Sequence, residues 1–473
     1  MSTFTEPVGL DEPIQIDAET DHNEPALAEP HEEPRRSERC NKGKPPERLI
    51  ESVNKVTAEL TEPKTFDEAL SIAEAEHWLR AMDEEIQCLR NNKTWNLIEL
   101  PEDKTAIGSK WVFKAKTDDK GNVNRYKARL VAQGYSQKYG EDFDEVFAPV
   151  AKPTTLRTLL AIAGHKKMIV KHYDIQTAYL NADLSHEVYM KQPEGFHQGN
   201  NSLVCKLQKN LYGLKQGASE WNKKLHDILN RNGYKRSEND MCLYSRVEGN
   251  NCMYISIHVD DLIVAATEAS MIENFEKQLN KDLVLKNLGN LQYYLGLQFE
   301  RDNEGIFLLH QQRYIERKLE EFNLTDSRPS NIPVDTGYQK RQETEDSMAN
   351  EEVYRKAIGS LLYLATNSRP DIAVGTSILA RHVSDPKQSD WTEVKRIFRY
   401  LKHTKEKKLR LGTPEEKHIK QLIGYADADW GGDVQDRKSN TGYYFKYLGA
   451  PISWTSRKQT MVTLSSTEAE CTG

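Results

Sequence analysis

The 473-residue chain has little cysteine, and what it has is scattered: Cys40, Cys88, Cys205, Cys242, Cys252 and Cys471 show no Cys-x-x-Cys spacing. That argues against a disulfide framework or a zinc site and suits a reducing compartment. The chain also lacks an uninterrupted apolar run of about 18 residues, the length a spanning helix needs, so no membrane partner is expected. Its start, MSTFTEPVGLDEP, has no basic end followed by an apolar stretch, so no secretory leader is read there. Basic residues are absent from residues 1–34, which carry ten Asp or Glu. That local absence accounts for the net charge of -7, since the remainder of the chain is +3. A mildly basic body is compatible with a phosphate backbone but does not single one out.

With 29% charged and 37% hydrophobic residues, the chain has material for real cores. Residues 1–60 are the exception. They are acidic, proline-rich and poor in apolar side chains, and read as a disordered linker holding the basic cluster Arg35, Arg36, Arg39, Lys42 and Lys44. Order is expected from Thr65, where Thr65 and Glu68 have capping-box spacing and Leu70, Ala75, Trp78, Leu79, Met82, Ile86 and Leu89 recur at helical intervals to about Arg90. Two strand-like runs, 110–116 and 125–132, flank the turn 118–122 and predict a hairpin. A helix is expected over 154–164, and strands over 170–175, 203–207 and 253–264. Helix dominates 308–411, interrupted by a loop over 336–352, and strands return from about Leu422. Strands and helices interleave without a β-α-β rhythm, so the expected class is α+β.

Two pieces of the chain carry candidate chemistry. In Tyr254-Ile-Ser-Ile-His258-Val-Asp260-Asp261-Leu-Ile-Val-Ala, adjacent acids sit between two β-rich apolar runs. Neighbouring carboxylates repel and are costly inside a sheet. A tight hairpin presenting them to a cation resolves the cost, and an ordinary polar turn is the bland alternative. The second piece, Val170-Lys-His-Tyr-Asp174-Ile-Gln-Thr-Ala-Tyr179-Leu-Asn181, places another acid where a strand ends. If the two strands are neighbours, the acids meet, and carboxylates with substrate phosphates are how proteins usually hold magnesium. Between them, Leu211-Tyr-Gly-Leu-Lys215-Gln216-Gly217-Ala-Ser-Glu-Trp221 reads as a loop entering a core helix whose apolar face continues through Leu225, Ile228 and Leu229.

These stretches, in this order, resemble the polymerase motifs of copia-type retrotransposon reverse transcriptases. The likeness extends through residues 110–147, 188–196, 288–300, 354–370 and 423–470, most of the chain. It implies a right-hand-like polymerase, with fingers and palm over 61–310, a helical thumb or connection over 311–412, and an incomplete ribonuclease H-like α/β domain over 413–473. It implies RNA-directed DNA polymerisation, with Asp174 and Asp260 as the main magnesium ligands and Asp261 as their neighbour; manganese is an alternative ion. Tyr179 falls at the family's gate against the ribose 2′-hydroxyl. Gln216 and Gly217 match the segment lining the incoming nucleotide, Lys127 and Arg129 the basic fingers residues near its triphosphate. Leu295 and Gly296 match the primer-holding hairpin. His258 departs from the family's usual tyrosine before the acid pair, a change that bears on contact with the primer end.

Asp427 and Glu470 match the first two ribonuclease H acids. The further acids of that family lie beyond such a segment, so ribonuclease H activity is expected to be absent and 413–473 marginally stable. The implied partners are an RNA template, a DNA or tRNA primer and deoxynucleoside triphosphates, with other Pol products such as an integrase. The implied setting is cytoplasmic, in a virus-like particle, or nuclear. The rival reading is a decayed or host-adopted remnant that folds or binds nucleic acid without polymerising.

Overall fold

A computed structural model of the chain describes residues 62–117, 123–200, 202–335, 337–338, 350–413 and 421–472. The linker expected over 1–60, its basic cluster and the turn 118–122 lie outside these residues. The first helix expected from the sequence is two. α1 (Phe66–Ser71) begins at Thr65, whose hydroxyl accepts the Glu68 N–H at 3.1 Å. α2 (Ala75–Asn91) then buries Trp78, Met82, Ile86 and Leu89, while Leu70 and Leu79 stay about 40% exposed. Strands β2 (Ser109–Thr117) and β3 (Val123–Ala132) pair antiparallel, Lys114 opposite Lys127, and lay Trp111, Phe113 and Leu130 against α2. A small sheet of β1 (Trp95–Glu99), β5 (Tyr189–Met190) and β6 (Leu203–Leu207) runs in the order β1-β6-β5.

The central sheet consists of β4 (Ile169–Ile175), β7 (Lys235–Arg236), β8 (Leu243–Glu248), β9 (Asn251–His258), β10 (Asp261–Ala266) and β11 (Leu285–Asn290), ordered β11-β4-β10-β9-β8-β7. Its alternation explains why the apolar runs are continuous. On β10, Leu262, Val264 and Ala266 pack into a core shared with α4 (Gly217–Arg231) and α5 (Ala269–Leu279), through Trp221, Leu225, Ile228, Phe275 and Leu279. Ile263 and Ala265 point the other way, toward Leu156, Leu159 and Leu160 of α3 (Pro153–His165). A strand buried on both faces cannot show polar alternation.

Strands β12 (Tyr293–Tyr294), β13 (Leu297–Arg301), β14 (Phe307–His310) and β15 (Leu409–Leu411) form a second sheet. The region expected to be helical from 308 to 411 is therefore held at both ends by strands, Phe307 pairing with Leu411. Between them, α6 (Gln312–Glu321), α7 (Glu351–Asn367), α8 (Ala373–Ala380) and α9 (Gln388–His403) share a core around Tyr354, Leu361, Ile397 and Phe398. The loop expected to reach 352 stops at Asn350, whose side chain accepts the N–H groups of Glu352 and Val353 and so starts α7.

The last sheet, β16 (Leu422–Ala428), β17 (Asn440–Tyr447) and β18 (Ala450–Lys458), is an antiparallel meander followed by α10 (Ser466–Thr472). Its Ala450 and Ile452 belong to the same core as α3 and the central sheet. Arg157 of α3 is the link. It is 4% exposed, donates to the carbonyls of Ile452, Thr366 and Asn367 at 2.8–3.2 Å, and lies 4.1 Å from the Trp454 ring centroid. Burial pulls its pKa down to about 10, still protonated at neutral pH.

Candidate active site

The two sequence pieces expected to meet do meet. β10 pairs antiparallel with β4 in a register that sets Asp261 directly opposite Asp174. β9 and β10 form a hairpin with His258 opposite Asp261, leaving Val259 and Asp260 as a two-residue turn. Val259 has φ +59, a conformation rare for a β-branched residue but suited to the primed turns of two-residue hairpins. The Asp260 carbonyl accepts the Ile175 N–H at 2.8 Å, and the Val259 carbonyl accepts the Trp221 indole N–H at 2.7 Å.

The three acids thus share one strand end, but not as a cage. Among the described residues, no group of three or more His, Cys, Asp or Glu side chains is arranged to hold a metal ion. Asp261 Oδ1 is taken by His172 Nε2 at 3.0 Å, a partner the sequence did not signal, and the His172 ring stands edge-on to Tyr294. Burial raises the Asp260 carboxyl above the usual range. A backbone hydrogen bond opposes this, and the charges of Asp261 and Asp174 raise it further. Arg129 acts in the other direction. The carboxylates are hard oxygen donors, which fit a divalent cation such as magnesium.

Around the acids, the residues singled out in the sequence separate into two groups. Tyr179 is half-buried and packs edge-on against Tyr212, centroids 4.9 Å apart. Its hydroxyl pKa is raised by burial and by Asp260. Arg129 lies over the other part of this stack, 4.9 Å from the Tyr212 centroid. Burial pushes Tyr212 up to about 12, with Arg129 opposing. Lys127, two residues before Arg129 on the same strand face, is lowered by burial and then by Arg129 and Lys116. Tyr212 itself lay inside a segment read as a loop, and nothing in its spacing marked it as the bridge between Arg129 and Tyr179.

Gln216 belongs to the segment that the resemblance matches to the nucleotide-lining one. It is 1% exposed. Its Oε1 accepts from Gln137 Nε2 at 3.0 Å, and its Nε2 donates to the Asp142 carbonyl at 2.9 Å. Both ends of the amide are satisfied by the loop before α3. Gly217 opens α4 beside it, buried, its carbonyl accepting from Asn210 Nδ2 at 2.6 Å. His258 Nδ1 is buried, and among the described residues no hydrogen-bond partner reaches it.

Leu295 and Gly296 form the β12–β13 turn, with φ +50 and +76. Tyr363 of α7 donates its hydroxyl to the Leu295 carbonyl, and a Cβ at Gly296 would collide with that hydroxyl. On the last sheet, Asp427 is exposed on β16 opposite Gly442, and Glu470 is exposed on α10, which packs on that strand. Asp429, a candidate stand-in ligand, has its carboxylate engaged by the Asn440 N–H (2.9 Å), Asn440 Nδ2 (2.7 Å) and the Gly432 N–H (3.1 Å).

Comparison with known proteins shows the family. The family model described as reverse transcriptase (RNA-dependent DNA polymerase) matches residues 92–336, more than half of the chain. The chain belongs to the reverse transcriptase family. It is 40% identical over 420 residues to the retrovirus-related Pol polyprotein from transposon TNT 1-94 of Nicotiana tabacum, covering 86% of this chain and 31% of that one. Two Arabidopsis thaliana relatives, the Pol polyproteins from transposons RE2 and RE1, are 35% and 36% identical over 413 residues, covering 87% of this chain and 28% of each. These relatives are copia-type retrotransposon Pol polyproteins, and the chain spans less than a third of their length. A foamy viral protease-reverse transcriptase solved with double-stranded DNA is 11% identical, with a TM-score of 0.43, over 83% of this chain and 58% of that one. That likeness is too loose to transfer any geometry. Among the described residues, no helix is long and apolar enough to cross a membrane.

Proposed function

We propose that this reverse transcriptase chain is the polymerase of a copia-type retrotransposon, extending a DNA or tRNA primer along an RNA template from deoxynucleoside triphosphates. One observation supports the reading above the rest: β4 and β10 bring Asp174 and Asp261 face to face beside Asp260. Asp174 and Asp260 would hold magnesium, with Asp261 in support. A metal ion held there would supply charge neutralisation at the phosphates and ease deprotonation of the primer 3′-hydroxyl.

The chain's own groups do the positioning. Tyr179, steadied by Tyr212, presents a ring edge where a ribose 2′-hydroxyl would have to fit. Arg129 and Lys127, on one face of β3, supply cationic donors for the triphosphate. Gln216 acts by fixing the backbone at Gly217 and the loop around Gln137, not through a free amide. The Leu295–Gly296 turn, tied to α7, holds the primer strand, with His258 at its end. Such positioning and charge neutralisation supply most of the acceleration in phosphoryl transfer. The chain would act in a cytoplasmic virus-like particle or the nucleus, alongside other Pol products such as an integrase.

The test is direct. The purified chain is incubated with a primed RNA template, labelled deoxynucleotides and magnesium or manganese. Primer extension is the expected result. Template binding without extension would replace this reading with that of a non-polymerising remnant.

A further inference from the structure

We propose that Trp221 is a positioning residue for the catalytic turn, holding Val259 and Asp260 in place through its indole N–H. This rests on the reading of Asp174, Asp260 and Asp261 as the polymerase acids. The turn needs holding. Val259, at φ +59, occupies a conformation that glycine or asparagine adopts readily and a β-branched residue does not. Backbone of this kind persists only where its surroundings over-determine it.

Three contacts do so here. Asp260 O accepts from Ile175 N–H, Asp261 Oδ1 accepts from His172, and Val259 O accepts from Trp221 Nε1 at 2.7 Å. The first two come from β4, a strand of the same sheet. Only the third comes from outside the sheet, and it reaches the strained residue itself.

Trp221 is suited to this. Its side chain is 2% exposed and wedged among the buried residues of α4 and the central sheet, so the donor has little freedom. The indole is a donor only, so the contact cannot invert. α4 begins at Gly217, immediately after the Lys215–Gln216 segment that Gln137 and Asp142 secure. One helix therefore ties the floor of the nucleotide site to the turn that carries Asp260. A shift of the turn would leave a carbonyl without its partner beside a buried ring, and such orphaned groups are costly.

The experiment uses the full chain and two readouts, hydrogen–deuterium exchange at the amides of residues 259–261 and steady-state primer extension. Trp221→Phe keeps a buried ring and deletes the N–H. Expected are about tenfold faster exchange at the turn and about tenfold lower kcat, with KM for deoxynucleotides within about twofold. Adding Val259→Gly removes the strain, since glycine takes positive φ freely. The double variant is expected to regain most of the lost kcat and protection.

A space-filling tryptophan would instead loosen all of α4, and Val259→Gly would rescue nothing; that outcome overturns the proposal. So does unchanged exchange at the turn in Trp221→Phe. If Trp221→Phe does not fold, benzothienylalanine at position 221 keeps the bicyclic bulk without the N–H and is judged by the same two readouts. A parent chain that extends no primer would sink the polymerase reading, while the exchange comparison would still decide the clamp.

Discussion

The β9–β10 hairpin and the last sheet both present acids at strand ends, and they differ in what surrounds them. At the hairpin, acids remote in sequence are brought opposite each other by strand register, with both faces of the sheet buried and each turn carbonyl engaged. On the last sheet, Asp427 and Glu470 stand exposed on an outer strand and its helix, and Asp429 is committed to Asn440 and Gly432. Leu422, Tyr425 and Trp430 lie exposed along or just past β16, while the opposite strand, β18, packs into the shared core. Acids alone do not make a site. Register and a buried scaffold concentrate negative charge where a cation is needed, and the last sheet as described lacks that enclosure around its acids.

The sharpest way to break this comparison is at the hairpin. Asp174→Asn or Asp260→Asn is expected to lower primer extension by about a thousandfold or more, because a carboxylate that would hold the metal ion is lost. The circular dichroism spectrum should keep its shape, and melting should hold or rise slightly as carboxylate repulsion is relieved. Extension within a few-fold of the parent in both variants would show that these acids are not the site.

Next in size is the link between the two regions. Arg157→Ala strands three carbonyls and empties the space beneath Trp454. We expect destabilisation of about 3 kcal/mol, read by denaturant unfolding. The loss should appear in the whole unit and not only in the last sheet, since α3 also supports β10. A biphasic unfolding curve with an intact first phase would instead make the last sheet an independent domain.

Tyr179→Val tests whether the tyrosine stack is a gate or mere packing. Removing the ring is expected to raise ribonucleotide over deoxynucleotide incorporation by about tenfold, a difference of the size one steric contact gives. An unchanged ratio would place the gate elsewhere.

The smallest expected effect is in pH. Burial acts to raise Asp433, but hydrogen bonds from Lys458 and from the Gln435 and Asp436 N–H groups outweigh it and hold the carboxyl at about 2, below the ordinary 3.8. A folded-state value below the unfolded one adds stability that is complete above the ordinary range and lost as pH falls toward 2. The parent should therefore melt above Asp433→Asn at neutral pH, by about 1 kcal/mol once solvent screening is counted. The gap should close between 3.8 and about 2. A gap independent of pH would show that the carboxylate's charge adds nothing.

Much of this was legible in the residues. The hairpin around Asp260, the strand ending at Asp174 and the helix face Trp221-Leu225-Ile228-Leu229 follow from alternation and helical spacing, which are local. The single helix expected over 65–90 breaks at 72–74. The buried amide of Gln216 was not legible, because its partners, Gln137 and Asp142, come from a loop remote in sequence. Tyr212, His172 and the indole N–H of Trp221 carried no signal, since each matters only through a neighbour remote in sequence.

Composition and periodicity by themselves determined the α+β class, the acidic start and the strand and helix content, while the ordered motifs carried the family resemblance. These depend on side chains a few positions apart, where the chain's own geometry sets which faces meet. Tertiary structure alone decided that Asp174 faces Asp261, that Arg157 joins the last sheet to α3, and that the Trp221 indole meets the Val259 carbonyl. Each of those contacts joins residues dozens to hundreds of positions apart, and only the closed core fixes the distance between them.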